Sequence, residues 1–388
     1  MAKTIGILTG GGDVPGLNPA MKMVVLNAIE AGYQVLGIRR GWMGLLHYDL
    51  DEPATREYYV NDLDEICVRK VDRNGGTFLH TSRTNPQKVK EKDIPDFLKG
   101  SPDGKNLGNG TFDFTAHILK ILDHLNIDAL VTIGGDDTLS YSARLTREGF
   151  PTVGIPKTMD NDVFGTDYCI GFSTAITRSV EMITNMRTSL GSHERIGVIE
   201  LFGRNSGETS LISAFLSHVD RAVISEVPFN MEKLANFLLE DKQNSPSNYS
   251  IMTVSEGATV KDGEIIERGE TDAYGHRKLG GIGDIISEEI KRITGENTMY
   301  QKLGYLMRSG PPDSLDRMVA MCFGSLAFQL LKNNDFGKMT ALQKGKYTTF
   351  PLDQVTEGKK TVDVDAFYDA ENYKPRVKNV LGLPMFLS

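Results

Sequence analysis

The chain holds only three cysteines and one tryptophan among 388 residues. Cys67, Cys169 and Cys322 are odd in number and widely separated, with no CxxC spacing, which excludes a disulfide framework and a thiolate metal site. They read as small buried hydrophobes of a reducing compartment. Positive charge is also in deficit. Against 51 Asp and Glu there are 43 Lys and Arg, a net charge of −8, so binding nucleic acid through its phosphate backbone is not expected. No run approaches the roughly 18 consecutive apolar residues of a membrane span. Residues 4–8 are already strand-like and are preceded by no charged segment and long apolar run of a signal peptide, so the expected location is the cytoplasm. The dinucleotide fingerprint GxGxxG and the Lys-Ser/Thr ending of a P-loop are missing too, and neither assignment is available.

What is present, 40% hydrophobic and 24% charged residues, is the composition of a globular protein, and the length suits two domains. Glycine is abundant, with 40 residues, and its placement says more than its count. An apolar run over 5–8 leads into Thr9-Gly10-Gly11-Gly12-Asp13 and then a helix-compatible stretch over 15–31 that stops at Gly32. The unit recurs as a strand over 128–133, the loop Gly134-Gly135-Asp136-Asp137, and a helix over 138–148. A third strand, 152–155, runs directly into Pro156-Lys157-Thr158-Met159-Asp160-Asn161-Asp162. Such alternation predicts an α/β fold whose parallel sheet is covered by helices on both faces, with the three loops meeting beyond the carboxyl ends of the strands. Residues 84–113, rich in Lys, Asn, Gly and Pro, read as a surface excursion. Strand-helix alternation resumes at 196–201 and continues through helices near 208–215 and 231–240, a strand at 249–254, and helical spacing over 285–293 and 315–330. Residues 335–388 are polar with scattered aromatics and give no pattern.

The loops carry the chemistry. Three adjacent glycines after a strand let an anion approach backbone N–H groups without a Cβ clash, while the next helix directs its positive end at that anion. A tight turn with no ligand is the alternative. Asp136 and Asp137 follow a second glycine pair; adjacent carboxylates without basic residues between them suit Mg²⁺, although either could simply cap the following helix. In the third loop Lys157, Thr158, Asp160 and Asp162 supply a cation, a hydroxyl and two alternating carboxylates. If the segment is extended, 158, 160 and 162 project to one side. Phosphoryl transfer needs charge neutralisation, alignment and a base near the acceptor hydroxyl, and these residue types meet those needs better than they suit a solvated turn.

Taken in order, residues 9–18 (TGGGDVPGLN), 75–83 (GGTFLHTSR), 134–137 (GGDD), 156–162 (PKTMDND), 165–172 (GTDYCIGF), 192–195 (SHER), 202–204 (FGR) and 303–308 (LGYLMR) resemble the successive motifs of the phosphofructokinases, across about residues 3–330. The resemblance implies two Rossmann-like three-layer domains with mostly parallel sheets and an active site in the cleft between them. Residues 1–165 would be the phosphoryl-donor domain, with 84–113 inserted, 166–330 the sugar-phosphate domain, and 331–388 an extension packing back on both. It implies Mg²⁺-dependent transfer of a phosphoryl group to O1 of fructose 6-phosphate. Gly11, Gly12, Arg83 and Gly135 would border the donor, Asp136 and Asp162 would hold the metal, Asp160 would be the general base, and Thr158 would position the acceptor. Arg195, Phe202, Gly203, Arg204, Glu256, Tyr305 and Arg308 would bind the sugar phosphate. An arginine at the place of Arg195 reaches into a neighbouring subunit in this family, which implies a homo-oligomer, dimer or tetramer, with shared sites.

The donor is read from two positions. ATP-dependent members usually have GGDG and PGT where this chain has GGDD and PKT; Asp137 with Lys157 is the pattern of the pyrophosphate-dependent members, whose reaction is reversible. A carboxylate at 137 would stand where the α-phosphate of ATP must lie, and Lys157 would supply charge to a donor that has no nucleoside. Met299 stands where many members have arginine and Tyr305 where they have histidine, so one cation of the 6-phosphate pocket is expected to be missing. Sedoheptulose 7-phosphate is therefore the alternative acceptor, as ATP is the alternative donor. A catalytically silent sugar-phosphate-binding subunit is the non-enzymatic alternative, and the presence of Asp136, Lys157 and Asp160 together speaks against it. Residues 245–249 lack the basic cluster of a nucleotide effector site, so control by ADP or phosphoenolpyruvate is not expected.

Overall fold

A computed structural model describes residues 3–261, 267–268, 278–279 and 281–377. The β-branched, apolar runs become strands buried along their whole length, as a parallel sheet covered on both faces requires. Seven strands form the larger sheet in the order Lys346–Pro351, Lys338–Gln343, Thr152–Pro156, Ala129–Gly134, Thr4–Thr9, Gln34–Ile38, Val60–Asp62. The five inner strands are parallel and both edge strands are antiparallel. The period-2 alternation is visible in the packing: Ile5 and Ile7 enter the core on one face, and Leu8 joins Trp42, Phe114 and Tyr141 on the other.

The second sheet has four parallel strands, ordered Arg221–Val223, Ser250–Ser255, Ile196–Leu201, Thr298–Lys302. One face packs with Leu234, Leu238 and Ile286 from its helices. Its other face sends Ile199, Leu201 and Ile251 into the same core cluster that holds Ile5, Ile7 and Val131 of the first sheet. The chain passes between the sheets through the helix Phe172–His193, whose 22 residues span about 33 Å.

Two stretches differ from their sequence reading. Residues 84–113 are anchored rather than superficial: they form a small antiparallel sheet, and Val89, Ile94 and Leu98 enter the core beside Trp42. The patternless C-terminal part supplies the hairpin Lys338–Gln343 and Lys346–Pro351, which completes the first sheet, and then sends Phe367, Tyr368 and Tyr373 into the core of the second.

A buried carboxylate joins the crossing helix to the rest. The helix Phe172–His193 starts at Gly171, which has no side chain to cap it. Asp316, from the helix Ser314–Lys332, takes over: it accepts from Gly171 N (2.8 Å), Thr174 N (2.7 Å), Thr174 Oγ1 (2.5 Å) and Tyr168 Oη (2.7 Å). Asp316→Ala strands these donors in a dry site, so the midpoint of urea unfolding should fall by the equivalent of about 2–4 kcal/mol. A midpoint equal to that of the wild type would remove Asp316 from this role.

Candidate active site

The strand order makes Thr4–Thr9, Ala129–Gly134 and Thr152–Pro156 neighbours, so their carboxyl-end loops converge on one cleft of about 780 Å³. Glycine is needed where those loops touch. A Cβ on Gly10 would lie 2.4 Å from Thr138 Oγ1 and one on Gly134 2.3 Å from Thr138 Cβ, so two loops close over one threonine. That Thr138 hydroxyl is buried and has no hydrogen-bond partner within the protein, leaving a donor beneath the glycine cradle. Gly11 donates its N–H to Ser82 O (2.9 Å) and its carbonyl accepts from Thr81 Oγ1 (2.8 Å). These bonds brace the loop and bring the next residue, Arg83, to the cleft wall.

Lys157 lies beneath this cradle. It is almost fully buried, and its ammonium donates to Gly12 O at 2.6 Å rather than to a carboxylate. Burial first, and then the nearby cations Arg308 and Arg83, push its pKa down to about 8, while Asp13 and Asp136 act in the opposite sense. Arg308 pairs with Asp13 at 3.3 Å and stacks 4.6 Å above the Tyr305 ring. A Cβ on Gly12 would come within 2.7 Å of Arg308 Nη1, so the first loop also leaves room for that guanidinium.

Facing these cations is an acidic wall. The helix Asp136–Arg147 begins at Asp136, two residues earlier than its sequence reading, and Asp136 Oδ1 accepts from Asp137 N at 3.0 Å. Gly135 is the N-cap and no side chain caps the helix, so Asp136 lines the cleft as its first residue. The segment after Lys157 is a turn and not an extended strand: Asn161 adopts φ 55°, points inward and ties the turn to Cys169 N, Asp167 O and Glu208. Thr158, Asp160 and Asp162 nevertheless all reach the cleft. Asp160 is held well above the usual carboxylate range by burial and by the charges of Asp162 and Glu256, with Arg204 opposing, and its Oδ1 has no partner. Asp162 is raised by burial and by Asp136; Asn205, which donates to Asp162 Oδ2 at 3.1 Å, and Lys359 work against the rise. Thr158 Oγ1 accepts from Asp160 N at 3.2 Å and fixes the turn.

The second sheet provides the remaining wall. Phe202 and Arg204 follow the strand Ile196–Leu201, and Glu256 follows Ser250–Ser255. Burial raises the Glu256 pKa against the pull of Lys302 and Arg204. Lys302 ends the strand Thr298–Lys302; its ammonium lies 2.7 Å from the buried Glu200 and 3.8 Å from Glu256. Tyr305 is 64% exposed at the lip.

Of the residues proposed from sequence, two lie off the cleft wall. Gly203 turns the chain between Phe202 and Arg204, its carbonyl accepting from Ser225 Oγ at 2.7 Å. Arg195 precedes the amino end of the strand Ile196–Leu201, whose carboxyl end faces the cleft. Met299 packs against the core, and Lys302, three residues on, lines the cleft with its ammonium paired to Glu200. Sequence reasoning overlooked Thr138, Asn205, Lys302 and Lys359. Thr138 and Asn205 directly follow motifs that were singled out and Lys302 directly precedes one; Lys359 has no local signal.

Comparison with known proteins places these features in a family. The Phosphofructokinase family pattern matches residues 4–331. The chain is 37% identical over 371 residues to the pyrophosphate–fructose 6-phosphate 1-phosphotransferase of Amycolatopsis mediterranei, covering 95% of this chain and 98% of that one. It is 34% identical over 369 residues to an ATP-dependent 6-phosphofructokinase of Streptomyces coelicolor, covering 95% and 98%. The crystal structure of a pyrophosphate-dependent phosphofructokinase from Nitrosospira multiformis superposes with a TM-score of 0.76 at 16% identity, over 97% of this chain and 89% of that one, a likeness of fold.

The depressed pKa of Lys157 has a measurable consequence. Below about 8 the ammonium is charged and attracts an anion; above it the neutral amine does not. Affinity for sulfate, whose own charge is constant here, should fall as pH rises through about 8, and Lys157→Arg should flatten that fall. A wild-type affinity independent of pH would contradict it.

Proposed function

Since the chain belongs to the phosphofructokinase family, we propose that it transfers a phosphoryl group from pyrophosphate to O1 of fructose 6-phosphate, giving fructose 1,6-bisphosphate and phosphate, in a reversible Mg²⁺-dependent reaction. The observation that carries the choice of donor is the pairing in one cleft of Asp137 with a buried Lys157 held against the glycine loop. An α-phosphate brought within about 4 Å of the Asp137 carboxylate meets roughly 4 kcal/mol of repulsion at an effective dielectric constant of about 20. Pyrophosphate has no third phosphate to place there. Relatives named for pyrophosphate are 35–37% identical to this chain and those named for ATP 31–34%, which supports the same donor as these two side chains.

Asp160 acts as the base. Its burial beside Asp162 and Glu256 raises its proton affinity toward the range in which a carboxylate accepts a hydroxyl proton efficiently, and its unpartnered Oδ1 is available for that proton. Thr158 keeps the Asp160 turn in place, while Lys157, Arg83 and the glycine-loop amides meet the negative charge of the transferring group. Arg204, Arg308 and Glu256 line the acceptor half, and the relatives named for fructose 6-phosphate support it as acceptor.

Mg²⁺ fits Asp136 and Asp162. Asp162 is raised by the charge of Asp136, so two carboxylates address one region. No group of three Asp, Glu, His or Cys among the described residues forms a cage of protein ligands, and Mg²⁺ needs none, since one or two carboxylates with water and phosphate oxygens complete its octahedron. Bound there, it would neutralise donor charge. Arg195, remote from the cleft of its own chain, supports a homo-oligomer, dimer or tetramer, in which it serves a neighbour's acceptor site. No helix among the described residues is long and apolar enough to cross a membrane, and we place the protein in the cytoplasm.

A coupled assay with Mg²⁺, fructose 6-phosphate and one donor at a time tests the reading. Activity with pyrophosphate and none with ATP is expected, and activity with ATP alone would overturn the donor assignment. Asp137→Gly should lower kcat/KM for pyrophosphate on the order of tenfold to a hundredfold and admit measurable ATP turnover.

A further inference from the structure

The C-terminal segment brings to the cleft a residue that no motif announces. Leu352 and Val355 are buried against Leu139 and Val163, so the segment lies along the acidic turn. Lys360 donates its N–H to Asp162 O (3.2 Å) and its ammonium to Asp167 O (3.0 Å) and to both Glu208 oxygens (3.1 and 2.9 Å). Glu208 in turn accepts from Asn161 at 3.1 Å. On the other side Gly358 lies so close to the Phe164 ring that a Cβ would come within 2.9 Å of it. Lys359 is held between these anchors.

Its surroundings do not account for it as a structural residue. Its side chain is 43% exposed, and its ammonium lies 4.0 Å from Asp136 Oδ2, a separation at which an exposed pair contributes little. Lys157 and Arg308 sit by the glycine loop, whereas Lys359 stands on the wall of Asp136, Asp137 and Asp162, and its charge reaches Asp162 as well. A small polyanion with no apolar part can be held only by cations, N–H groups and metal, and any of its oxygens facing three carboxylates needs a cation there.

We propose that Lys359 is a specificity-determining residue of the donor site, its ammonium leaving Asp136 to contact the oxygens of bound pyrophosphate from the acidic wall. The proposal rests on the pyrophosphate reading of this cleft. The part-buried Lys360–Glu208 pair is then the device that places Lys359: it fixes the backbone, and the flexible four-carbon stem of Lys359 covers the remaining distance.

Full-length wild type, Lys359→Met and Lys359→Arg separate the possibilities. Initial rates against pyrophosphate and against fructose 6-phosphate are measured with Mg²⁺, together with calorimetric binding of pyrophosphate in the absence of sugar. Lys359→Met should raise KM and Kd for pyrophosphate about tenfold, leave KM for fructose 6-phosphate within about twofold and leave the melting temperature unchanged, and Lys359→Arg should recover most of the loss. A wild type active with pyrophosphate whose Lys359→Met variant keeps the same KM and Kd for it overturns this proposal alone. A wild type active only with ATP overturns the donor reading and this proposal together.

Discussion

A lysine ammonium buried against a backbone carbonyl is the contact on which the site depends. Lys157 lies 2.6 Å from Gly12 O, and this bond ties the loop after one central strand to the loop after another. Its hydrogen bond goes to a carbonyl and not to a carboxylate, and Arg308 and Arg83 add charge of the same sign. Such a group is costly to bury unless an anion completes it. The residues around it act to hold the geometry open for that anion: Thr81 and Ser82 brace the glycine loop, Thr138 fills the space beneath it, and Asp13 steadies Arg308.

The opposite wall has the complementary difficulty. Asp160, Asp162 and Glu256 are buried near one another, and each is raised by that burial and by neighbouring carboxylates. The cleft is therefore polarised, with cations by the glycine loop and carboxylates across from it. In the proposed reaction a phosphoryl group passing between donor and acceptor oxygens would cross that gradient, with the proposed base Asp160 on the acidic side and charge neutralisation on the other. Asn161, Glu208 and Lys360 form the support behind the acidic turn, so the carboxylates cannot relax their repulsion by moving apart.

How much of this was legible in the sequence followed from how local each feature is. Gly10 to Gly12, Asp136, Asp137 and the run from Lys157 to Asp162 are consecutive residues after apolar strands, and the topology rule for parallel sheets was enough to bring them together. The backbone within the third loop was not legible: alternation suggested an extended segment, and the left-handed turn at Asn161 delivers the same three side chains by another route. Lys359 has no local pattern, because it reaches the cleft only through packing distant in sequence. The edge strand Lys346–Pro351 escaped for a related reason: with one side exposed, it lacks the continuous apolar run that marked the inner strands.

The central claim is that charge at positions 137 and 157 selects a donor without a nucleoside. Calorimetric titration of the wild-type protein with pyrophosphate and, separately, with ATP, both with Mg²⁺, tests it most directly. Saturable binding of pyrophosphate with no detectable heat from ATP over the same range is the predicted result. ATP binding as tight as or tighter than pyrophosphate binding would contradict it.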